Sequence, residues 1–248
     1  EGDTAQLVEW SAAWAMPFAR GLSREQEIYV AEQGVAFQAY LHRHIMARRE
    51  SPTGDIISEL ARARLDDRPL EDGEIVQIID HLYIGGNETT AFALASGLWM
   101  MLRDPSIHAA LVEDPTRIKG FVEEVLRLES PTQGLYRVAT RDTEIGGVAI
   151  PRGATLHLRF AAANRDPCEF ADPDAIRFDR PNAMRHMAFS QAEHHCPGAG
   201  LSRMELCVAF EAIIRRIDGL ALSADNDFAH VPGFVLRALQ RLHVRCEA

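Results

Sequence analysis

The chain has 248 residues, 47% hydrophobic and 25% charged, the make-up of a soluble globular protein long enough to bury a large core. Its 26 Lys and Arg against 36 Asp and Glu leave a formal net charge of −10, which favours solubility and excludes the clustered basic face of a nucleic-acid binder. Cys168, Cys196, Cys207 and Cys246 lie far apart without a CxxC pair, so a reducing cytoplasm is expected rather than a secreted disulfide framework.

The opening residues carry neither the basic nor the apolar region of a signal peptide. Residues 4–20 and 24–50 read as helices separated by Arg20-Gly21-Leu22-Ser23, and Ser23 followed by Gln26 is a capping-box signal. A short helix is expected over Asp55 to Leu65, then a turn at Asp66-Asp67-Arg68-Pro69. A long helix follows from about Asp72 to Arg103, stopped by Asp104-Pro105 and spanning roughly 45 Å at 1.5 Å per residue. Its apolar run is interrupted by Asp80, His81, Asn87 and Glu88, as in a buried helix rather than a membrane span.

Helices around Ser106–Val112 and Thr116–Glu129 come next. From Tyr136 to Phe160 the residues alternate between Gly-Gly and Pro-Arg-Gly turns, which predicts short strands in hairpins. Residues 161–198 are loop-rich, GAGLSRMELCVAFEAIIRRI restores a helical period, and the end is irregular with short strands. The fold class is mainly α with a small β region.

Cys196-Pro197-Gly198 leads straight into that helix. A cysteine at a helix N-terminus faces free backbone N–H groups and the positive end of the dipole, which favour a thiolate. Pro197 suits the first turn, and Gly198 and Gly200 let a flat ligand approach the backbone. Such a thiolate can be a nucleophile or a metal ligand. Two other readings stay open here: a buried structural cysteine, and a zinc site from His194, His195 and Cys196, although adjacent residues converge poorly on one ion.

The segment from Phe189 through His194 and Cys196 to Gly198 resembles the haem-binding loop of the cytochrome P450 family. Ser190 and Ala192 stand where that family usually has glycine, and a positive φ there costs on the order of 1 kcal/mol. Gly85-Gly86-Asn87-Glu88-Thr89-Thr90 is similar to its oxygen-binding helix, where glycines costing about 1 kcal/mol each suggest a groove opened beside a ligand. The pair Glu124 and Arg127, alone a common surface pair, resembles with Arg180 a buried structural network. Arg137 and His186 align with haem-propionate partners, and Ala163-Asn164-Arg165-Asp166-Pro167 also follows the pattern. The motifs stand in family order across residues 70–205.

The resemblance implies the C-terminal portion of a cytochrome P450 fold over residues 1–248, a single partial domain lacking N-terminal parts. It implies haem b with Cys196 as iron ligand, and contacts from Gly85, Arg137, His186, Phe189, His194 and Gly198. Thr89 would hydrogen-bond dioxygen and Glu88 would relay protons. Tyr83, Ile84, Asn87, Leu135, Val235 and Leu236 are expected in the substrate wall. The implied reaction inserts one oxygen atom from O2 into an apolar small molecule, with a ferredoxin- or flavin-type electron donor and neither nucleic acid nor membrane as partner. A helix stripped of part of its covering favours a homodimer or swapped oligomer. Two rival readings are a catalytically silent, haem-free scaffold that binds another protein, and a Cys/His hydrolase without a recognisable oxyanion element.

Overall fold

The computed structural model describes residues 2–18 and 21–246. Its helices are α1 Thr4–Ala15, α2 Arg24–Glu50, α3 Ile56–Arg62, α4 Asp72–Arg103, α5 Pro105–Glu113, α6 Ile118–Leu128, α7 Phe160–Ala163 and α8 Ala199–Arg216. Its strands are β1 Arg64–Leu65, β2 Arg68–Pro69, β3 Leu135–Val138, β4 Thr143–Ile145, β5 Val148–Ile150, β6 Thr155–Leu158, β7 Ala221–Leu222 and β8 Val244–Arg245. They form four two-stranded antiparallel pairs, β1-β2, β3-β6, β4-β5 and β7-β8. The expected mainly helical architecture with a small β region is present.

The helix limits follow local chemistry. Ser23 caps α2 with a capping box: Gln26 N–H donates to Ser23 Oγ at 3.3 Å, and Ser23 N–H to Gln26 Oε1 at 2.8 Å. Asp55 Oδ1 accepts the Ser58 N–H at 2.8 Å, and Asp104 Oδ1 accepts that of Ser106 at 3.0 Å with Pro105 at the first helical turn.

Three boundaries differ from expectation. The helix expected over 4–20 ends at Ala15 and passes into one 3-10 turn, Met16–Phe18, because Pro17 has no N–H to continue the ladder. Positions 19 and 20 lie outside the described residues. The helix expected to Leu65 stops at Arg62, since Arg64 and Leu65 pair with Arg68 and Pro69 around Asp66 and Asp67 at φ 50° and 61°. Aspartate tolerates that left-handed region better than most residues, which permits the tight hairpin. The helix expected over Thr116–Glu129 opens as a 3-10 turn, Pro115–Arg117.

Two compact units are present, Glu1–Glu88 and Thr89–Ala248, with α4 running from one into the other. In the first unit, α1 and α2 pack around Trp10, Phe37, Leu41, Ile45, Ile75 and Val76. The ring centroids of Trp10 and Phe37 are 5.2 Å apart, and those of Phe37 and Tyr83 are 5.0 Å apart.

The core of the second unit joins Met101, Leu111, Phe121, Val125, Leu206 and Phe210 from α4, α5, α6 and α8. Two glycines set its close approaches. A Cβ on Gly97 would overlap the Phe210 ring, and one on Gly120 would overlap the Phe178 carbonyl oxygen. The Phe210 ring end can swing aside; the Phe178 backbone cannot do so cheaply. Gly120→Ala is therefore expected to destabilise the chain by about 1–3 kcal/mol through overpacking, read as a lower urea midpoint at unchanged m. A midpoint equal to the parent's would show that α6 shifts freely at this point.

Candidate functional site: the cysteine loop and its anchors

The thiol sits on a tight turn that starts at Phe189. Cys196 N–H donates to the Phe189 carbonyl at 2.8 Å, and Ser190 N–H to that of Met187 at 2.9 Å. Between them, Ser190 and Ala192 occupy φ 58° and 54°, the left-handed region expected from their place in the loop. Cys196 is free and partly exposed, two residues ahead of Gly198, the N-cap of α8. A Cβ on Gly198 would stand 3.7 Å from Cys196 Sγ. The thiol is therefore presented beside the first turn of α8, as the sequence reading required.

Releasing strain at Ala192 with glycine is worth about 1–2 kcal/mol in the folded state, against roughly 0.5–1 kcal/mol of added chain entropy in the unfolded state. Ala192→Gly should raise stability by about 0.5–1 kcal/mol, seen as a higher thermal midpoint. A lower midpoint would mean that the left-handed geometry is not strained there.

The same unit holds a buried ion network. The side chains of Glu124 and Arg127 are 0% exposed and that of Arg180 is 2%. Arg127 reaches Glu124 through Nε at 2.7 Å and a terminal nitrogen at 2.8 Å, and Arg180 Nε reaches it at 2.9 Å. The Arg177 backbone N–H adds a fourth contact at 3.0 Å. Arg127's other donors meet the carbonyls of Asn164, Pro173 and Ala175; Arg180's meet Ala171, Asp172 and Ala175. Burial pushes the Glu124 carboxyl up, but Arg127, the Arg177 N–H and Arg180 together hold it below its ordinary value. The surface-pair reading of Glu124 and Arg127 does not hold: both are core groups.

The Asn164 motif also acquires a job. Asn164, fully buried, accepts the Met187 N–H at 2.6 Å and donates to Ser130 Oγ at 2.8 Å, so it pins the chain just ahead of Phe189.

Other expected site residues fall out unevenly. Leu135 and Arg137 share one face of β3, two positions apart in a partly buried pattern. Thr132 bridges Leu236, and Gln133 N–H donates to the Val235 carbonyl at 2.7 Å, so the segments carrying Leu135, Val235 and Leu236 are neighbours. Arg137 is partly buried and donates to the Tyr136 carbonyl at 2.9 Å. His194 is exposed beside Glu193, 3.8 Å away.

His186, expected as a propionate partner, has contacts of its own inside the chain. Its side chain is 0% exposed, Nε2 meets Glu123 at 3.0 Å, and Nδ1 accepts the Ala188 N–H at 3.2 Å, so both ring nitrogens are engaged inside the protein. Tyr83 and Asn87 are each hydrogen-bonded to α1. The Tyr83 hydroxyl donates to the Leu7 carbonyl at 2.6 Å, and Asn87 Nδ2 donates to Ser11 Oγ at 2.8 Å. Ile84 is 5% exposed, a core residue.

Glu88 is partly buried and accepts the Ser11 hydroxyl at 2.8 Å. Ser11, itself buried, escaped the sequence reading because nothing local marks a serine inside α1 as a carboxylate partner 77 positions away. Thr89 is partly buried, and Thr90 Oγ1 donates to Ser202 Oγ at 3.2 Å. A Cβ on Gly85 or Gly86 would meet nothing within 4 Å, which opposes a close-packing role for these glycines.

The donor set suits a flat macrocycle with two carboxylates: a free thiol, the hydrogen-bond donors Arg137 and His194, and small residues beside the thiol. Among the described residues no group of three or more His, Cys, Asp or Glu side chains is gathered to hold a metal ion. Nor, among those residues, is any helix long and apolar enough to cross a membrane.

A thiol at a helix start, in a unit that also holds a buried Glu–Arg–Arg network, defines a helical thiolate-presenting protein. The family model for cytochrome P450 matches residues 32–238, and the chain belongs to that family. It is 36% identical over 248 residues to the "Biotin biosynthesis cytochrome P450" of Bacillus subtilis, covering 100% of this chain and 62% of that protein. It is 33% identical over 220 residues to a "Steroid C26-monooxygenase" of Mycobacterium tuberculosis, covering 89% and 59%. P450BioI, solved in complex with acyl carrier protein ligated to hexadec-9Z-enoic acid, superposes with a TM-score of 0.91 at 34% identity, covering 100% of this chain and 63% of that one. The chain thus spans about half to three-fifths of the length of the curated relatives it matches.

Proposed function

We propose that this chain carries the thiolate half of a haem-dependent monooxygenase that inserts one oxygen atom from O2 into an apolar small molecule. The observation that carries the reading is the free, partly exposed Cys196 thiol on a turn closed by a backbone hydrogen bond to Phe189, with the Asn164 side chain holding the segment before it. When bound there, the haem supplies the electron-accepting and oxygen-activating chemistry, tuned by the thiolate.

The protein's own residues supply placement and protons. Cys196 would ligate the iron, with Gly198 leaving room beside Sγ and Phe189 at the base of the turn. Arg137 and His194 would donate to the propionates, for which a guanidinium fork and an imidazole N–H are suited. Gly85 leaves space along α4. Glu88, oriented by the Ser11 hydroxyl, holds the proton to be delivered, and Thr89 donates the hydrogen bond next to it. Leu135, Val235 and Leu236 form the apolar wall, in keeping with relatives named for a steroid and a fatty acyl chain. Electrons come from a ferredoxin- or flavin-type donor.

The test is the reduced, CO-treated absorption spectrum after expression with haem precursor supplied. A red-shifted Soret band of thiolate type supports the reading. No haem band at all would overturn it in favour of a protein-binding scaffold.

A further inference from the structure

Glu123 stands next to buried Glu124 in α6 but serves a different set of partners. Its side chain is 13% exposed and lies 3.0 Å from His186 Nε2 and 2.6 Å from Arg203 Nε, with a second Arg203 contact at 3.2 Å. Because His186 Nδ1 accepts the Ala188 N–H, Nε2 carries the proton and donates it toward Glu123. The Arg203 guanidinium lies 4.6 Å from the Phe189 ring centroid, and the His186 ring is 5.8 Å from the same ring. Phe189 in turn offers its carbonyl to the Cys196 N–H.

One carboxylate therefore joins α6, the segment before the cysteine turn and α8. Both of its partners end on Ala188 or Phe189, the residues from which the turn departs. The Glu124 network reaches only carbonyls and N–H groups between 164 and 177, with the side chain of Arg180, and touches nothing from 186 to 196. Yet the turn contains two non-glycine residues at positive φ, and such conformations persist only where the surroundings over-determine them. Burial pushes the Glu123 carboxyl up, and His186 and Arg203 more than reverse this, leaving it charged.

We propose that Glu123, acting through His186 and Arg203, is the positioning residue that holds the strained Phe189–Cys196 turn and so sets the direction in which the Cys196 thiol is presented. The positioning of the turn stands on geometry alone; its consequence for iron ligation rests on the proposed function.

The test is amide hydrogen exchange on the 248-residue chain carrying Glu123→Gln, which keeps the shape and removes the charge. The Ala188 and Cys196 amides should exchange about tenfold faster or more, as the loss of charge-assisted hydrogen bonds implies, while Glu129 in the last turn of α6 exchanges at the parent rate. The idea fails if Ala188 and Cys196 keep parental rates, or if every amide of the second unit speeds up by one common factor, as for a merely structural ion pair. Should Glu123→Gln not fold, Arg203→Lys keeps a cation beside Glu123 but removes the plane over Phe189. Faster exchange at Cys196 then supports the proposal, and parental exchange overturns it. In the haem-loaded form, Glu123→Gln should lower the share of CO complex showing the thiolate-type band; an unchanged share counts against positioning. If the parent shows no haem band but Glu123→Gln still loosens the turn, the functional reading falls and the positioning role stands.

Discussion

Arg127→Ala is expected to cost about 3–5 kcal/mol of folding stability, a large part of the 5–15 kcal/mol typical of a domain. The magnitude comes from what is left behind. Glu124 stays fully buried with Arg180 as its remaining ionic partner, and the carbonyls of Asn164, Pro173 and Ala175 lose their Arg127 donors. Truncation also removes the guanidinium stacked 5.2 Å from the Phe170 ring centroid. Urea unfolding of the soluble variant, or failure to accumulate at all, reads the effect. A loss below about 1 kcal/mol would place the network among exposed pairs, for which that is the usual range.

The same network gives the stability a pH dependence of definite sign. Glu124 and Glu123 both titrate below their ordinary value of 4.5 in the folded chain, so the folded state binds fewer protons than the unfolded one. Their contribution is fully present above that value and is lost as pH falls through the lowered folded values. Thermal midpoints should therefore decline in acid, and Glu124→Gln should flatten that decline while lowering stability at neutral pH. A parental acid slope in Glu124→Gln would assign the effect to other carboxylates.

Cys196→Ala is expected to abolish the red-shifted thiolate band of the reduced, CO-treated protein while changing folding stability by less than about 1 kcal/mol. The asymmetry follows from the site. The side chain is partly exposed, and it is the backbone N–H, which alanine retains, that closes the turn onto Phe189. Surface substitutions of this kind stay near ±0.5 kcal/mol. The ligand itself has no substitute: among the described residues Cys168 and Cys246 are exposed on other segments, and burial pushes the Cys207 thiol up, away from thiolate. Persistence of the band in Cys196→Ala would move the ligand elsewhere and dismantle the site proposed above. Loss of the band together with a stability drop above about 2 kcal/mol would instead make Cys196 a packing residue.

Much of the fold was legible because its signals are local. Ser23 with Gln26, Asp104 with Pro105, and Gly146-Gly147 each act within a few residues, and helices or hairpins begin or end where they stand. Misplaced limits arose where two local signals competed, as at Pro17 inside an apolar run and at Asp66-Asp67 after a helical pattern. Candidate site residues could be named to the extent that a motif carried them, as with Cys196, Arg137 and the Glu88-Thr89 pair; the expected contact of Arg180 with Glu124 is present. Ser11 and Arg203 went unnoticed, since each acquires meaning only through a carboxylate far away in sequence, and the Glu123 contact of His186 was missed for the same reason.

The sequence by itself determined that Cys196 stands at the start of a helix and that Glu124 and Arg127 share a helix face. Each depends on backbone geometry within one turn of chain. Only the tertiary structure decided that Glu124 and Arg127 are buried, that His186 faces Glu123, and that Tyr83 and Asn87 are tied to α1. Those partners lie 56 to 80 positions apart, for example Glu124 with Arg180 and Glu123 with Arg203, and the choice among them is made by packing and desolvation. No local period encodes which carboxylate a buried cation will meet.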